Sequence, residues 1–309
     1  MDFVVSNKEK KELFVSLFQV LKNCSTLINC NFEDKCLHIQ GMDKSHVCLY
    51  DMKIEKDWFD SYNVEETKKL CFDSNVFHSI ISTKSDNQDL VVKLDNDNED
   101  TLHIQFTNKV FVIDDDNDIE EQVNNDGTND KDKKDKKKGK KEKDNKKGKI
   151  AKSVVAKAVN EKNEFKKLFK IPLSEYEYEE MVIPVVDYDA EFSLSSKLVV
   201  DMFAQLNNFG NDIMVKCSEE SIHLTTTSVN GEMCVQIPID DLSSYSIVEG
   251  EEVILNYSLL YLNKMCITNK LTSEIEFFIS NECPMKIAYP LGEGSSLVFY
   301  MAPKSIHLS

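Results

Sequence analysis

The sequence predicts an α+β fold built from two similar halves, and three observations carry that reading. Short runs alternate apolar and polar residues, as strands with one buried face do. Four other stretches instead space their apolar residues to line one face of a helix. The order helix, strands, helix, strands then occurs twice along the chain. The first helix opens with a capping box, Ser6 and Glu9, and sets Leu13, Phe14, Leu17, Phe18 and Leu21 on one face. Lys8, Lys11, Gln19 and Lys22 fall on the opposite side. Strands follow at Leu37-His38-Ile39-Gln40 and 48–54. A second helix over 74–82 is expected to bury Val76, Phe77, Ile80 and Ile81, and strands over 90–94 and 101–106 complete the first half. The second half repeats the scheme. A helix over 196–208 buries Leu198, Val199, Met202, Phe203 and Leu206, and strands follow at Ile222-His223-Leu224-Thr225 and 234–239. A helix over 257–265 buries Leu259, Leu260 and Leu262, ahead of strands over 273–279 and 285–289.

Composition bounds what such a chain can do. Its 309 residues, 41 % of them hydrophobic, suffice for two packed cores. No apolar run is long enough for a membrane-spanning helix, and the opening residues lack a signal-peptide layout, so an intracellular protein with no membrane partner is expected. The 9 cysteines are scattered singly, without CxxC or zinc-ligand spacing, and read as free, mostly buried thiols. No metal site follows from them. A net charge of −17 repels nucleic acid except where cations are concentrated, and residues 131–152 are such a concentration. All 37 basic residues are lysine, which excludes bidentate arginine readout of bases. The sequence holds no glycine-rich phosphate loop, GxSxG or HExxH, so no catalytic residue and no cofactor are expected. Asp114-Asp115-Asp116 reads as an unstructured acidic run in preference to a cation site.

The chain divides into a first domain, 1–171, a connector, 172–189, and a second domain, 190–309. Within the first, 114–163 is acidic and then lysine-rich, too poor in apolar residues to offset its ordering entropy, and reads as a disordered insert. Its lysines, among them Lys133, Lys134, Lys136 and Lys137, suit electrostatic tethering to DNA, nuclear import or a plain spacer.

Four strings carry a family resemblance, in family order. Gly41-Met42-Asp43-Lys44-Ser45-His46-Val47 resembles the MDxSHV signature of proliferating cell nuclear antigen, the eukaryotic and viral-type DNA sliding clamp. Tyr261-Leu262-Asn263 resembles its YLN, Tyr300-Met301-Ala302-Pro303-Lys304 its YLAPK, and Met181-Val182-Ile183-Pro184 the end of its interdomain connector. The resemblance implies two DNA-clamp domains, sheets outside and four helices on the inner face, in a homotrimeric ring around duplex DNA. It implies a processivity factor that docks DNA polymerase, a clamp loader and other partners by short peptide motifs, in the nucleus or a viral replication compartment. The peptide site would comprise Met42, His46, Val47, Leu49, Met181, Ile183, Pro184, Pro284, Tyr300, Ala302 and Pro303. Lys8, Lys11, Lys22, Lys84, Lys197, Lys264 and Lys270 would face DNA, although Asp201, Ala204 and Ile267 fall where relatives are basic. Subunits would join by edge strands carrying Phe165, Leu168 and Phe169 on one side and Met233, Val235 and Ile237 on the other. The lysine that relatives modify falls on Glu219. Two alternatives stay open: a checkpoint-type subunit of a heterotrimeric clamp, and a metal-dependent enzyme acting on DNA.

Overall fold

The computed structural model describes residues 1–95, 98–108, 165–175 and 179–304. The insert 114–163 and its lysine run lie outside them, as does Asp114-Asp115-Asp116. In the first half the order is β1 (Asp2–Val5), α1 (Lys8–Cys24), β2 (Leu27–Phe32), β3 (Cys36–Met42) and β4 (Cys48–Glu55). A short 3-10 turn (Lys56–Trp58) leads to β5 (Ser61–Asn63), β6 (Lys68–Asp73), α2 (Ser74–Ile81), β7 (Gln88–Asp95), β8 (Asn98–Asn108) and β9 (Lys167–Pro172). The second half repeats the series without omission: β10 (Ala190–Ser195), α3 (Ser196–Leu206), β11 (Asp212–Cys217), β12 (Ser221–Ser228) and β13 (Gly231–Pro238). After a 3-10 turn (Ile239–Asp241) come β14 (Ser244–Ile247), β15 (Val253–Ser258), α4 (Leu259–Met265), β16 (Glu274–Ile279), β17 (Met285–Gly292) and β18 (Ser295–Met301).

The strands form three antiparallel sheets. The order β5-β1-β7-β8-β9 makes the first and β13-β12-β11-β15 another. The third has nine strands, β14-β10-β16-β17-β18-β4-β3-β2-β6, and crosses from one half to the other where β18 pairs with β4. Helix α1 packs beside α2 and α4, and α4 beside α3, so the four helices form one row. None of the described helices is long and apolar enough to cross a membrane.

Alternation fixes which strand faces are buried. In β4, Cys48, Tyr50, Met52 and Ile54 are buried while Leu49, Asp51 and Lys53 face out. Phe14 and Phe18 of α1 meet Phe77 of α2 with ring centroids 6.3 and 4.5 Å apart, and Phe72 lies 4.7 Å from Phe77. In the second half Phe192 and Phe277 stack at 5.1 Å, with Phe203 of α3 edge-on to Phe277. All nine cysteines are free thiols, six of them buried.

Several expectations need correction. The cap of α1 is Asn7, whose side chain accepts from the Lys10 N–H, and Ser6 instead donates its N–H to Asp60 Oδ2. Helices α2, α3 and α4 are one or two residues shorter than their periodicity suggested, and in each one apolar residue at the edge of the stripe faces out. Val76 is 45 % exposed, Leu198 48 % and Leu260 53 %. Lys11, expected on the polar face, is fully buried. Its Nζ donates to the carbonyl oxygens of Ser85 at 2.8 Å, Asp86 at 3.2 Å and also Gln88. The turn between α2 and β7 is thereby closed over α1, and a cation held so cannot reach a phosphate. Replacing Lys11 by Met should cost about 2–3 kcal/mol, because three carbonyls lose their donor and that of Gln88 is buried. A urea unfolding midpoint equal to the parent protein's would contradict this role.

Candidate docking groove and nucleic-acid face

The loop between β3 and β4 is built on Asp43. Its Oδ1 accepts the N–H groups of Val47 and Cys48 at 2.8 and 2.7 Å, and its Oδ2 that of Ser45 at 2.8 Å. Burial works to raise the Asp43 pKa, but these backbone donors and the Tyr261 hydroxyl outweigh it and hold the carboxyl below its ordinary value. His46 takes a left-handed conformation (φ 56°) and sets its Nδ1 3.1 Å from Met42 Sδ. Gly41 has a packing reason: the ring of Tyr50, its cross-strand partner, occupies the space a Cβ would need. Next to this loop, the Ala302 N–H donates to the Val47 carbonyl at 3.1 Å, and Lys304 N–H to Asn256 O at 2.7 Å. Tyr261 and the 300–304 segment therefore both touch the 41–47 loop, although the three are far apart in sequence.

The register of the long sheet extends this neighbourhood into a groove. Paired residues on its outer face run Met42, Leu49, Tyr300, Lys286, Phe278 and Glu191 across β3, β4, β18, β17, β16 and β10. The connector crosses the same face. The buried Gln40 side chain grips it in both directions, accepting from the Met181 N–H at 2.7 Å and donating to the Met181 carbonyl at 3.1 Å. His38 adds a second clip, with Nε2 2.6 Å from Asp51 Oδ1 and Nδ1 3.3 Å from Glu180 Oε1. At its far end the Asp189 N–H bonds the Ile279 carbonyl, and Tyr188 packs on Phe278 at 5.5 Å. Half-buried Met181 and Ile183, with exposed Pro184, form one wall. The loop residues His46 and Val47, with Pro284, Ala302 and Pro303, form the other side, and Met42, Leu49 and Tyr300 the floor. Val182 and Val185 are almost fully exposed, so the connector itself presents apolar surface.

Comparison with known proteins agrees with this construction. The model of the proliferating cell nuclear antigen N-terminal domain matches residues 6–124, and that of its C-terminal domain matches residues 182–304. The chain belongs to the proliferating cell nuclear antigen family. Members are sliding clamps that serve as DNA polymerase processivity factors, and the family is non-enzymatic. The chain is 23 % identical over 301 residues to proliferating cell nuclear antigen 2 of Plasmodium falciparum, covering 95 % of this chain and 96 % of that one. It is 21 % identical over 286 residues to proliferating cell nuclear antigen of Chaetomium thermophilum, covering 89 % of each. A PCNA2–PCNA3 complex from Sulfolobus tokodaii contains a similar fold, with TM-score 0.72 at 17 % identity over 98 % of this chain and 99 % of that one.

On the helix row of this clamp the lysines differ in freedom. Lys197 and Lys270 are exposed. Lys8 pairs with Asp86 at 2.8 Å, which raises its pKa, and Lys84 lies 3.8 Å from Glu12. Lys22 sits 3.2 Å from His78 Nδ1; burial and the lysine charge both lower the His78 pKa. Lys264 lies over the Tyr261 ring at 5.2 Å. Lys22 and Lys264 line one cavity of about 230 Å³ between the end of α1 and α4. Exposed Asp201 and Ala204 lie on α3, so this face is of mixed charge.

Among the described residues β9 and β13 are each the terminal strand of a sheet, as β5, β6, β14 and β15 are. Phe165 and Leu168 are 85 % and 63 % exposed, and Phe169, Met233 and Val235 are half-buried. Ile237 is 6 % exposed and packs into its own core, so only its backbone is free for pairing and its side chain is removed from the expected contact set.

Sequence reading missed Gln40, His38, Asp51 and Lys286 as parts of the groove. Their outward parity in strands was legible, but not which strand each would lie beside. The His38 clip makes a testable statement. Its hydrogen bond to Asp51 raises its pKa above 6.5, against burial, with the charges of Asp51 and Glu180 adding to the rise. The stability it contributes is therefore complete below the unfolded value and is lost as pH rises through the folded one. An NMR titration should place His38 above its ordinary midpoint, and Asp51→Asn should bring it down; a midpoint at or below the ordinary value refutes the clip. Gln40→Ala should speed amide exchange at Met181 by about tenfold or more, in line with the loss of two hydrogen bonds of about 1 kcal/mol each. Unchanged protection there would mean that the connector is held by something else.

Proposed function

We propose that three copies of this chain close into a ring around duplex DNA and tether polymerase and other replication proteins through peptides seated in the groove. One observation supports the ring above others. The two halves run through the same elements in the same order, so β9 corresponds to β18 and β13 to β4. Inside the chain β18 pairs with β4; their counterparts β9 and β13 are both left open. Copying the internal register to the counterparts opposes Phe169 to Met233, Leu168 to Cys234 and Lys170 to Glu232 of the next copy. The pairing would cover half-buried apolar side chains, satisfy two rows of free backbone groups and match opposite charges. Complementary edges on a single sequence favour a homotrimer over a mixed ring. The division into domains 1–171 and 190–309, joined by the connector 172–189, follows the same repeat.

Such a protein acts by topology and not by bond chemistry. A closed ring cannot leave DNA sideways, and a docked polymerase stays at high effective concentration. Lys22, Lys197, Lys264 and Lys270 give the inner face its phosphate contacts, with Lys8 and Lys84 partly neutralised by carboxylates. Opening the ring falls to a separate ATP-driven loader, and the place of action is the nucleus or a viral replication compartment.

The test is retention on DNA of two topologies. Protein assembled on a nicked circular plasmid should remain bound at about 0.5 M salt, where simple electrostatic contacts are screened. Cutting the plasmid once should release it. Equal retention on circular and linear DNA, or none on either, would overturn the encircling ring.

A further inference from the structure

We infer that Lys286 makes the groove selective for peptides that carry a carboxylate beside their aromatic anchor. The inference rests on the docking reading above and adds to it the chemistry of the partner.

Lys286 is the one cation in the cross-strand row that makes the groove floor. It follows Met42, Leu49 and Tyr300 in the cross-strand row, on the strand next to Tyr300. Its side chain is half-buried, and its ammonium is held over the face of Phe278 at 4.2 Å. Tyr188, at the end of the connector, also packs on Phe278, with ring centroids 5.5 Å apart. Among the described residues no carboxylate forms an ion pair with Lys286. Glu191 follows in the row but lies beyond Phe278. Two residues either side of Lys286 stand Pro284, just ahead of β17, and the buried Ala288, which offer no charge; Glu276 on β16 lies opposite Ala288 and diagonal to Lys286.

A peptide whose aliphatic or aromatic plug sits over Met42, Leu49 and Tyr300 has its next residues above β17. The neighbouring strand is about 4.8 Å further on, within reach of a side chain one or two residues from the plug. Seating the plug removes water from one side of the ammonium, so a carboxylate there strengthens the complex and an uncharged or basic residue forgoes that gain. The remainder of the molecule argues for a local device. At a net charge of −17 the protein disfavours acidic peptides at long range, so tolerance of an acid must come from a fixed cation at the point of contact.

Two labelled synthetic peptides test this, alike in an aliphatic and a paired-phenylalanine anchor and differing only in Glu or Gln beside the second phenylalanine. Fluorescence anisotropy with the full chain should show the Glu peptide binding about three- to fivefold tighter at low salt, the span of a partly exposed ion pair. Lys286→Met, which keeps the stem, should bind the two equally, and Lys286→Glu should prefer the Gln peptide. Equal, measurable binding of both peptides by the unaltered protein overturns the role of Lys286 and leaves the docking groove standing. A preference that survives Lys286→Met also overturns it. Failure of either peptide to bind the unaltered protein overturns the docking reading itself, and the inference with it.

Discussion

The antiparallel pairing of β18 with β4 is the joint on which the rest of this structure depends. It merges sheet strands of the two halves into one nine-stranded sheet and sets Tyr300 opposite Leu49 and Val298 opposite Asp51. That register places the 300–304 segment against the 41–47 loop and gives the groove its floor. It also gives the connector a continuous outer face to cross, where Gln40 and His38 hold it. Without the joint the four strings that carry the family likeness would be separate surface features. With it they form one site.

The joint bears on assembly as well. A sheet edge with free N–H and C=O groups favours pairing with another chain, and proteins manage such edges explicitly. Of the six terminal strands among the described residues, β9 and β13 are the counterparts of the internal joint, and each carries partly exposed apolar residues. Because the halves repeat, the pairing already present inside the chain specifies the register in which those edges would meet. In the proposed ring the same contact would be used once within each chain and once between chains.

Much of this was legible in the sequence, and the parts that were not have a common cause. Alternation in 48–54 and helical spacing at Phe14, Leu17, Phe18 and Leu21 depend only on local geometry, and the structure follows them. Lys11 was misplaced because its burial depends on the 85–88 turn, which folds over α1 from far along the chain. Val76, Leu198 and Leu260 sit at the margins of their apolar stripes, where spacing alone cannot tell the covered edge from the open one. In the groove, Met42, His46, Val47 and Tyr300 were found through sequence strings. Gln40, His38 and Lys286 were not, because their roles come from strand register and the path of the connector. Ile237 shares its face of β13 with Met233 and Val235, but it lies deeper in its own core, and depth along a strand is not legible from alternation.

The repetition of the internal joint between copies can be tested directly by a cysteine cross-link. Cys234 is exposed on β13, and Leu168 on β9 is the residue that the copied register sets opposite it. Under mild oxidation Leu168→Cys should yield, on a denaturing non-reducing gel, a ladder ending at the mass of three joined chains, which Cys234→Ser abolishes. Closely paired strands hold directly opposed residues at about 4.5–5.5 Å between Cα atoms, within disulfide reach. A chain that stays monomeric on that gel, while a shifted pair such as Leu168→Cys with Glu232→Cys cross-links readily, would contradict the register. If neither pair links and the protein has the mass of a single chain in solution, the shared joint is wrong altogether.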